Sequence, residues 1–309
     1  MVADEKAAAL PSIAAVIPTR NRPQLLVRAV EAALAQDYTG ALSVIIVVDQ
    51  REPDTVVPDF DDPRVSVIDN SRTPGLSGAR NTGITSTDAE LVAFCDDDDV
   101  WAPDKLSSQV AAMADHPGSV MSSTAIEVDF DGARNVRLAG TNLVTHDHLL
   151  PSRMSMVHSS TFLFRRAALL GELGLVDEHV PGSQNEDWDL CLRASAIAPI
   201  VNVDRPLVRV QWTARSYFNR EWDTKISSLK WMLEQHPDIA TNPVGAARVY
   251  GQIAFGYAAQ KQRRTALQWA RRSIRSRWRE PRAYLALVAA AGVSGDFILQ
   301  TLHKRGRGI

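Results

Sequence analysis

Four consecutive carboxylates, Asp96-Asp97-Asp98-Asp99, follow directly on the apolar run Leu91-Val92-Ala93-Phe94-Cys95 and are closed by Val100-Trp101. Two unit charges about 4 Å apart interact by roughly 1 to 4 kcal/mol at effective dielectrics between bulk water and a protein surface. Four acids in a row therefore call for a positive partner, and a hard divalent cation with oxygen ligands supplies one. Mg²⁺ typically takes one or two carboxylates plus substrate phosphates. The plain alternative is a solvated acidic loop. The apolar run before the acids favours the cation: it lacks a solvent-facing alternation, so it reads as a buried strand. Open α/β sheets bind ligands at the carboxyl ends of such strands. A second acidic group, Glu186-Asp187-Trp188-Asp189, opens a helix that continues through Leu190, Leu192, Arg193 and Ala196. The helix dipole favours acids in a first turn, but three with an embedded Trp exceed what capping needs.

The elements that must position these groups are legible in order. Ile13 to Thr19 is a short apolar strand ending in Pro18-Thr19-Arg20-Asn21-Arg22, and Pro23 then starts a helix with Leu25, Leu26, Ala29, Val30, Ala33 and Leu34 at helical spacing. Val44 to Val48 is a strand closed by Asp49, and Val65 to Ile68 one closed by Asp69. The glycine-punctuated segment Pro74 to Gly83 leads into a short helix before the acids. This succession predicts an α/β nucleotide-binding half, with Thr19, Asp49 and the acids gathered at strand ends. Beyond Trp101, Pro103 opens a helix with Leu106, Val110 and Met113 on one face. Val120 to Phe130 reads as a strand, Asp131-Gly132 as its hairpin turn, and Met156 to Phe164 as a strand carrying His158. Ile200 to Val203 and Leu207 to Val210 read as the last strands. From about Tyr217 the chain turns helical, around Trp222 to Leu233, Ala246 to Ala259, Ala266 to Arg275 and Pro281 to Ala291. These Ala-rich helices read either as degenerate tetratricopeptide-like pairs or as a plain bundle.

The totals are those of an ordinary globular chain: 309 residues, 45% hydrophobic and 23% charged. Met1 to Pro11 lacks the basic start and apolar core of a secretory signal. The nearest approach to a membrane span, Ala283 to Val293, is too short. Cys95 and Cys191 each sit in an apolar segment, as buried small hydrophobes in a reducing compartment do, so a cytoplasmic location is expected. Charge is uneven. Residues 261–309 hold 12 Lys/Arg against Glu280 and Asp296, a net +10 within a total of −2. Such a tail fits an anionic lipid surface at the inner membrane face, an acidic domain of the same chain or of a second copy in a homo-oligomer, or a solvated helix face. Nucleic acid is disfavoured, because stacking aromatics are not interleaved with the charges.

Taken together, Ala15-Val16-Ile17-Pro18-Thr19-Arg20-Asn21-Arg22, Val48-Asp49, Gly78-Ala79-Arg80-Asn81-Thr82-Gly83, Phe94 to Trp101, and Glu186-Asp187-Trp188-Asp189-Leu190 with Arg193 resemble the family 2 glycosyltransferases of GT-A fold. The resemblance covers roughly residues 12 to 216. It implies a Rossmann-like half with a mixed central sheet, residues 12–218, after an N-terminal tail, 1–11, and before a basic α-helical region, 219–309. It implies inverting transfer of a sugar from a nucleotide-diphosphate sugar, a UDP-sugar first, to a sugar, lipid-linked or small-molecule acceptor. On that basis Thr19 and Asp49 contact base and ribose, with Pro18, Arg20 and Arg22 of the same motif beside them, and Arg80 supports the nucleotide. Asp96 and Asp98 are the outer members of the family's Asp-x-Asp; Asp98 is expected to ligate Mn²⁺ or Mg²⁺ directly, with Asp97 the fallback. Asp187 matches the catalytic base and Glu186 helps place the acceptor. This chain departs from the pattern twice. Gln50 stands where a second acid is common, and Gln211 or Trp212 where a His often reaches the metal or diphosphate; Arg215 is expected to compensate there. His158, Trp188 and Gln211 are candidates for the acceptor pocket, each against a plain packing role. His146-Asp147-His148 has too few partners for a zinc site and reads as a helix start. Two other classes compete: a sugar-phosphate nucleotidyltransferase, disfavoured because Pro18 to Arg22 holds neither Gly nor Lys, and a non-catalytic scaffold working through the helical tail.

Overall fold

The computed structural model describes residues 9–130, 132–212, 221–295, 297–298 and 301. The uninterrupted apolar runs fold as strands because both their faces are covered: β1 (Ile13–Thr19) is buried at every position, and β2 (Leu42–Val48) from Val44 on. Between them α1 (Pro23–Leu34) has Pro23 in its first turn and buries Leu26, Ala29, Val30 and Ala33. Next come β3 (Val65–Asp69), α2 (Leu76–Thr85) and β4 (Leu91–Phe94). The glycine-bearing segment is itself α2, buried from Ser77 to Ile84. Glycine is required there: a Cβ on Gly78 would lie 1.9 Å from the Thr73 carbonyl oxygen, and one on Gly83 2.3 Å from Val16 Cγ1.

The second half of the sheet follows: β5 (Val100–Trp101), α3 (Lys105–Ala114), β6 (Met121–Phe130), β7 (Ala133–Arg137), β8 (Leu143–Val144), α4 (His146–Leu149), β9 (Leu163–Arg165), α5 (Arg166–Leu170), α6 (Glu186–Ile197) and β10 (Ile200–Trp212). The described strands form one mixed sheet in the order β3-β2-β1-β4-β9-β6-β10-β5, with β7 on β6 and β8 on β10. β1 pairs parallel with β2 and β4, so Thr19, Asp49 and the acids after Phe94 emerge at one edge. β9 runs antiparallel to both β4 and β6.

Two expectations need correction, and a third, the hairpin after Phe130, holds. The segment Met156 to Phe164 is not a strand: His158 starts a tight 3₁₀ turn, Ser159–Thr161, and only Leu163–Arg165 pairs with the sheet. Ser and Thr side chains that bond nearby backbone favour such turns; Thr161 Oγ1 donates to the His158 carbonyl at 2.6 Å. The last two strands are one, β10, whose register slips twice between Val203 and Val208, around Pro206, which has no N–H to give the ladder. At the β6–β7 hairpin Phe130 pairs with Ala133 and Gly132 takes φ +84°, while Asp131 lies outside the described residues.

The helical remainder comprises α7 (Trp222–Gln235), α8 (Asp238–Thr241), α9 (Pro243–Ala259), α10 (Arg263–Ser276) and α11 (Pro281–Ala290). The chain divides into two compact units. The first takes the described residues up to Val144, Ser155–Glu178 and Arg193 to Trp212; the second takes Thr145–Met154, His179–Leu192 and the described residues beyond 220. A core cluster of the first unit lies on the face of β1, β2 and β4 that carries Ile13, Ala15, Ile17, Val44, Ile46 and Ala93, under α1; the opposite face, with Val16, Val47 and Phe94, is buried as well. The second is built on small residues: Ala254 and Ala258 of α9 meet Ala266 and Ala270 of α10 and Ala286, Ala289 and Ala290 of α11. Cys95 and Cys191 are buried free thiols, and burial pushes both well above the ordinary thiol range.

Candidate functional site

In the first unit the four aspartates leave β4 in different directions. Their backbone turns, the Asp99 N–H donating to the Asp96 carbonyl at 3.1 Å, and each carboxylate finds its own surroundings. Asp96 accepts from Arg80 at 2.7 Å and from Ser159 Oγ at 3.0 Å. Burial works against its charge, but Arg80 and His158 hold its carboxyl below the usual range. Arg80 is itself fully buried, 5.2 Å from the Phe94 ring centroid, so it acts on the site through Asp96. Asp97 is tied to the β1 end, accepting from Thr19 Oγ1 at 2.7 Å and from Arg22 at 3.3 Å; burial raises its pKa. Asp98 pairs with the same Arg22 at 3.0 Å, and burial with the charges of Asp96 and Asp97 pushes it up to about 6.

Asp99 turns inward. It accepts from Ser160 Oγ at 2.5 Å and from the Gln211 backbone N–H at 3.3 Å, and it lies 3.5 Å from His158 Nδ1. Burial, then Asp96 and Asp98, raise it well above the usual carboxylate range. Asp96, Asp99 and His158 each offer one ligand atom, all within 4.8 Å of one another. This donor set, two hard oxygens and an imidazole, suits a divalent cation. Asp98, favoured in the sequence as the direct ligand, stands outside that trio and against Arg22.

The flanking strand ends are equally organised. Asp49 Oδ1 accepts from Asn70 Nδ2 at 2.8 Å and from the Gly75 N–H at 3.0 Å, where Gly75 takes φ 122° to present it. Gln50 caps the other oxygen, Nε2 donating at 3.0 Å. Pro18 is buried in β1, and Arg20 is exposed, 4.0 Å from Glu52. Gln211 gives its backbone N–H to Asp99 and accepts from Arg28 at 3.1 Å through its side chain. Arg215 lies outside the described residues.

In the second unit the Glu186–Asp187 turn is held under backbone strain. Gly182, Ser183 and Asn185 all take positive φ (61°, 51° and 68°), a conformation costing roughly 1 to 3 kcal/mol per non-glycine residue unless its surroundings hold it. Asn185 Nδ2 donates to Ser228 Oγ at 2.7 Å, and Ser228 in turn bonds the Gln184 carbonyl, so α7 clamps the loop. Asp187 is buried; Trp188 N–H donates to its Oδ1 at 2.8 Å and Arg153 pairs with its Oδ2. Trp188 is buried too, its indole N–H donating to the Leu149 carbonyl at 3.1 Å, so it packs beneath the turn. His146 begins α4 and meets Asp238 at 2.5 Å.

The family model described as glycosyl transferase family 2 matches residues 14–171, half of this chain. The chain belongs to glycosyl transferase family 2. Among curated relatives, the succinoglycan biosynthesis protein ExoO of Rhizobium meliloti (strain 1021) is 33% identical over 132 residues, 42% of this chain and 37% of its own. The Escherichia coli enzyme named UDP-Glc:alpha-D-GlcNAc-diphosphoundecaprenol beta-1,3-glucosyltransferase WfgD is 29% identical over 104 residues, 33% of this chain and 40% of its own. The aligned part spans well under two thirds of either relative. A crystal structure of S. aureus TarS 1-349 with UDP-GlcNAc has the same fold at a TM-score of 0.60, with 15% identity, covering 96% of this chain and 92% of that one.

Within this family 2 chain several groups at the two acidic sites were not singled out from the sequence. Asp99 was indistinguishable from its three neighbours, and the polar run Ser159-Ser160-Thr161 inside an otherwise apolar stretch was the one available signal that the segment serves the acids. Arg153 carries no pattern at all. Gln184 is buried, and its Nε2 makes no hydrogen bond among the described residues.

Proposed function

We propose that this family 2 chain transfers a sugar, with inversion, from a nucleotide-diphosphate sugar to an acceptor hydroxyl, with Asp187 as general base. The observation that carries the donor half is the link from Asp97 to Thr19 and Arg22, which ties the acidic run to the end of β1. That sheet edge, with Asp49 at the end of β2, is where a nucleotide belongs in an open α/β sheet. UDP-sugars are the first choice of donor: WfgD is named for UDP-Glc, and TarS was solved with UDP-GlcNAc. WfgD is also named for a diphosphoundecaprenol-linked acceptor, which makes a lipid-linked sugar the leading acceptor class here. Residues 12–218 would form the catalytic domain and 219–309 its appendage, working in the cytoplasm; no helix among the described residues is long and apolar enough to cross a membrane.

The residues fit a divalent cation. Asp96, Asp99 and His158 already converge, Asp98 stands at the partly open rim, and three of the four aspartates bear raised pKa values that a cation would relieve. When bound, Mn²⁺ or Mg²⁺ would offset the charge developing on the leaving diphosphate. The chain's own groups do the rest. Arg80 keeps Asp96 charged, and Thr19 with Arg22 fixes Asp97. Asp187 takes the acceptor's proton as its oxygen bonds to the anomeric carbon and the bond to the diphosphate breaks. Arg153 and the Trp188 N–H orient that carboxylate, and Glu186 beside it places the acceptor.

Calorimetric titration with UDP, GDP and dTDP, with and without Mn²⁺, tests the donor half. The expected result is Mn²⁺-dependent binding of UDP, weakened at least about tenfold in Asp99→Asn and in Asp98→Ala. No binding of any nucleotide by the wild type would end this reading and favour a scaffold.

A further inference from the structure

Residues 261–279 contain eight cations and no acid: Lys261, Arg263, Arg264, Arg271, Arg272, Arg275, Arg277 and Arg279. All eight are exposed, and none forms an ion pair with a carboxylate among the described residues. Their arrangement follows from α10. Its Ala266, Ala270 and Ser273 face inward, Ser273 Oγ donating to the Ala247 carbonyl of α9 at 2.6 Å. The opposite face therefore presents Arg264, Leu267, Gln268, Arg271 and Arg275, spaced by three and four residues, to solvent. A basic face with no carboxylate paired to it among the described residues makes a positive surface potential that attracts an anionic partner.

The apolar groups on the same helices say what that partner is. Trp278, Tyr284 and Phe297 are the Trp, Tyr and Phe side chains that stand exposed among the described residues, and all three lie in this region. Trp278 is 64% exposed, flanked by Arg277 and Arg279, with Arg279 stacked on its ring at 4.7 Å. Its position is built rather than loose: Tyr284 Oη donates to the Trp278 carbonyl at 2.5 Å. Leu267 interrupts the arginines on α10, and Val288 stands one turn beyond Tyr284 on α11, both exposed. Arginines interleaved with Trp, Tyr and aliphatic side chains on a helix surface match the layered chemistry of a bilayer interface, phosphate outside and acyl chain beneath. Trp278 and Tyr284 do stand among the arginines, contrary to the sequence expectation that no stacking aromatics are interleaved with the charges; nucleic acid would use them, but not Leu267 or Val288. A second copy docking through this same face would set like charges against each other.

We propose that the outer faces of α10 and α11, with the Arg277–Arg279 connection between them, form a docking surface for an anionic phospholipid bilayer. The surface stands independently of the donor reading, and it would bring a lipid-linked acceptor within the chain's reach.

Sedimentation of the full chain with vesicles decides it. Wild type should pellet with vesicles containing about one third phosphatidylglycerol in phosphatidylcholine, and not with phosphatidylcholine alone. Partitioning should fall at least about tenfold between roughly 0.1 and 0.5 M NaCl. The triple variant Arg264→Glu, Arg271→Glu, Arg275→Glu should lose at least about tenfold in partitioning. Trp278→Ala should lose about three- to tenfold while keeping its salt dependence. These side chains are exposed, and unchanged thermal melting and UDP titration confirm that each variant is folded, so a failure here is separable from a failure of the donor site. The proposal is overturned if wild type ignores phosphatidylglycerol vesicles or the triple variant pellets undiminished. It is equally overturned if a DNA duplex or an acidic polypeptide binds as tightly as the vesicles do.

Discussion

Arg153 closes on Asp187 through two nitrogens at once: Nε, at 3.1 Å, and a terminal nitrogen of the same guanidinium both donate to carboxylate Oδ2. With Trp188 N–H on Oδ1, both oxygens of the proposed base are spoken for within its own unit. The carboxylate is 4% exposed and the arginine 46%, so the guanidinium is the solvent-facing partner of a buried acid. With Asp187 as the proposed base, Arg153 would be a positioning residue, one that shares Oδ2 with an incoming hydroxyl.

Replacing Arg153 should therefore separate turnover from donor binding. Arg153→Ala is expected to lower kcat by about 10²-fold, as misplacement of a catalytic group does, and to leave the dissociation constant for UDP unchanged. Arg153→Lys should recover only part of kcat, because a single ammonium cannot reproduce a fixed fork of donors. Steady-state kinetics beside calorimetry gives both numbers. Unchanged kcat in the alanine variant would remove Arg153 from the reaction.

Gln184 offers a different contrast. A buried amide nitrogen without a partner costs roughly 1 to 3 kcal/mol, so a methionine of similar shape in its place should leave the fold as stable or more so. Gln184 precedes Glu186 by two residues in a strained, clamped turn, and on the proposed placing of the acceptor by Glu186 its amide would have a hydroxyl to meet. In Gln184→Met the acceptor KM is expected to rise about tenfold, with the melting temperature level or higher. A lower melting temperature with unchanged KM would assign Gln184 to packing.

Lys105 gives the fold a pH dependence of its own. Its ammonium is fully buried, 4.1 Å from the Trp101 ring centroid and 2.7 Å from Gln109 Oε1, and burial lowers its pKa to about 7. Between that value and 10.5, its ordinary value, the unfolded chain holds a proton the folded chain has released. Stability from this group is thus full above about 10.5 and is lost as the pH falls through 7. Denaturation at pH values across that window should show a gain with pH in the wild type that Lys105→Met flattens, the variant being the more stable near pH 7. Parallel slopes for the two proteins would refute a discharged Lys105.

What the sequence disclosed and what it hid divide along physical lines. β1, β2 and β4 were legible because strands buried on both faces leave continuous apolar runs, and the acids were legible because charge at the end of such a run is costly. β10 was read as two strands because Asp204-Arg205-Pro206 looks like a turn, whereas the sheet absorbs it as an irregularity in register. His158 was placed in a strand because hydrogen bonds from Ser160 and Thr161 to that residue have no periodicity to betray them. Asp98 was preferred, with Asp97 behind it, by motif alone, and Asp99 was not weighed; identical residues can be ranked only by the direction each takes from a turning backbone. Arg153 and Asp187 are 34 positions apart, and Lys105, next to Asp104, looks like any surface lysine, so neither the pair nor the buried amine leaves a local signal.

The central claim, transfer with Asp187 as base, is tested most directly by the rate of UDP release from a UDP-sugar in the presence of a lipid-diphosphate-linked sugar acceptor, for wild type and Asp187→Asn. The asparagine keeps the shape and cannot take the proton. The expected result is a fall of about 10²- to 10⁴-fold in kcat with UDP affinity unchanged, and an anomeric configuration in the wild-type product opposite to that of the donor. Equal rates in the two proteins, or retention of configuration, would contradict it.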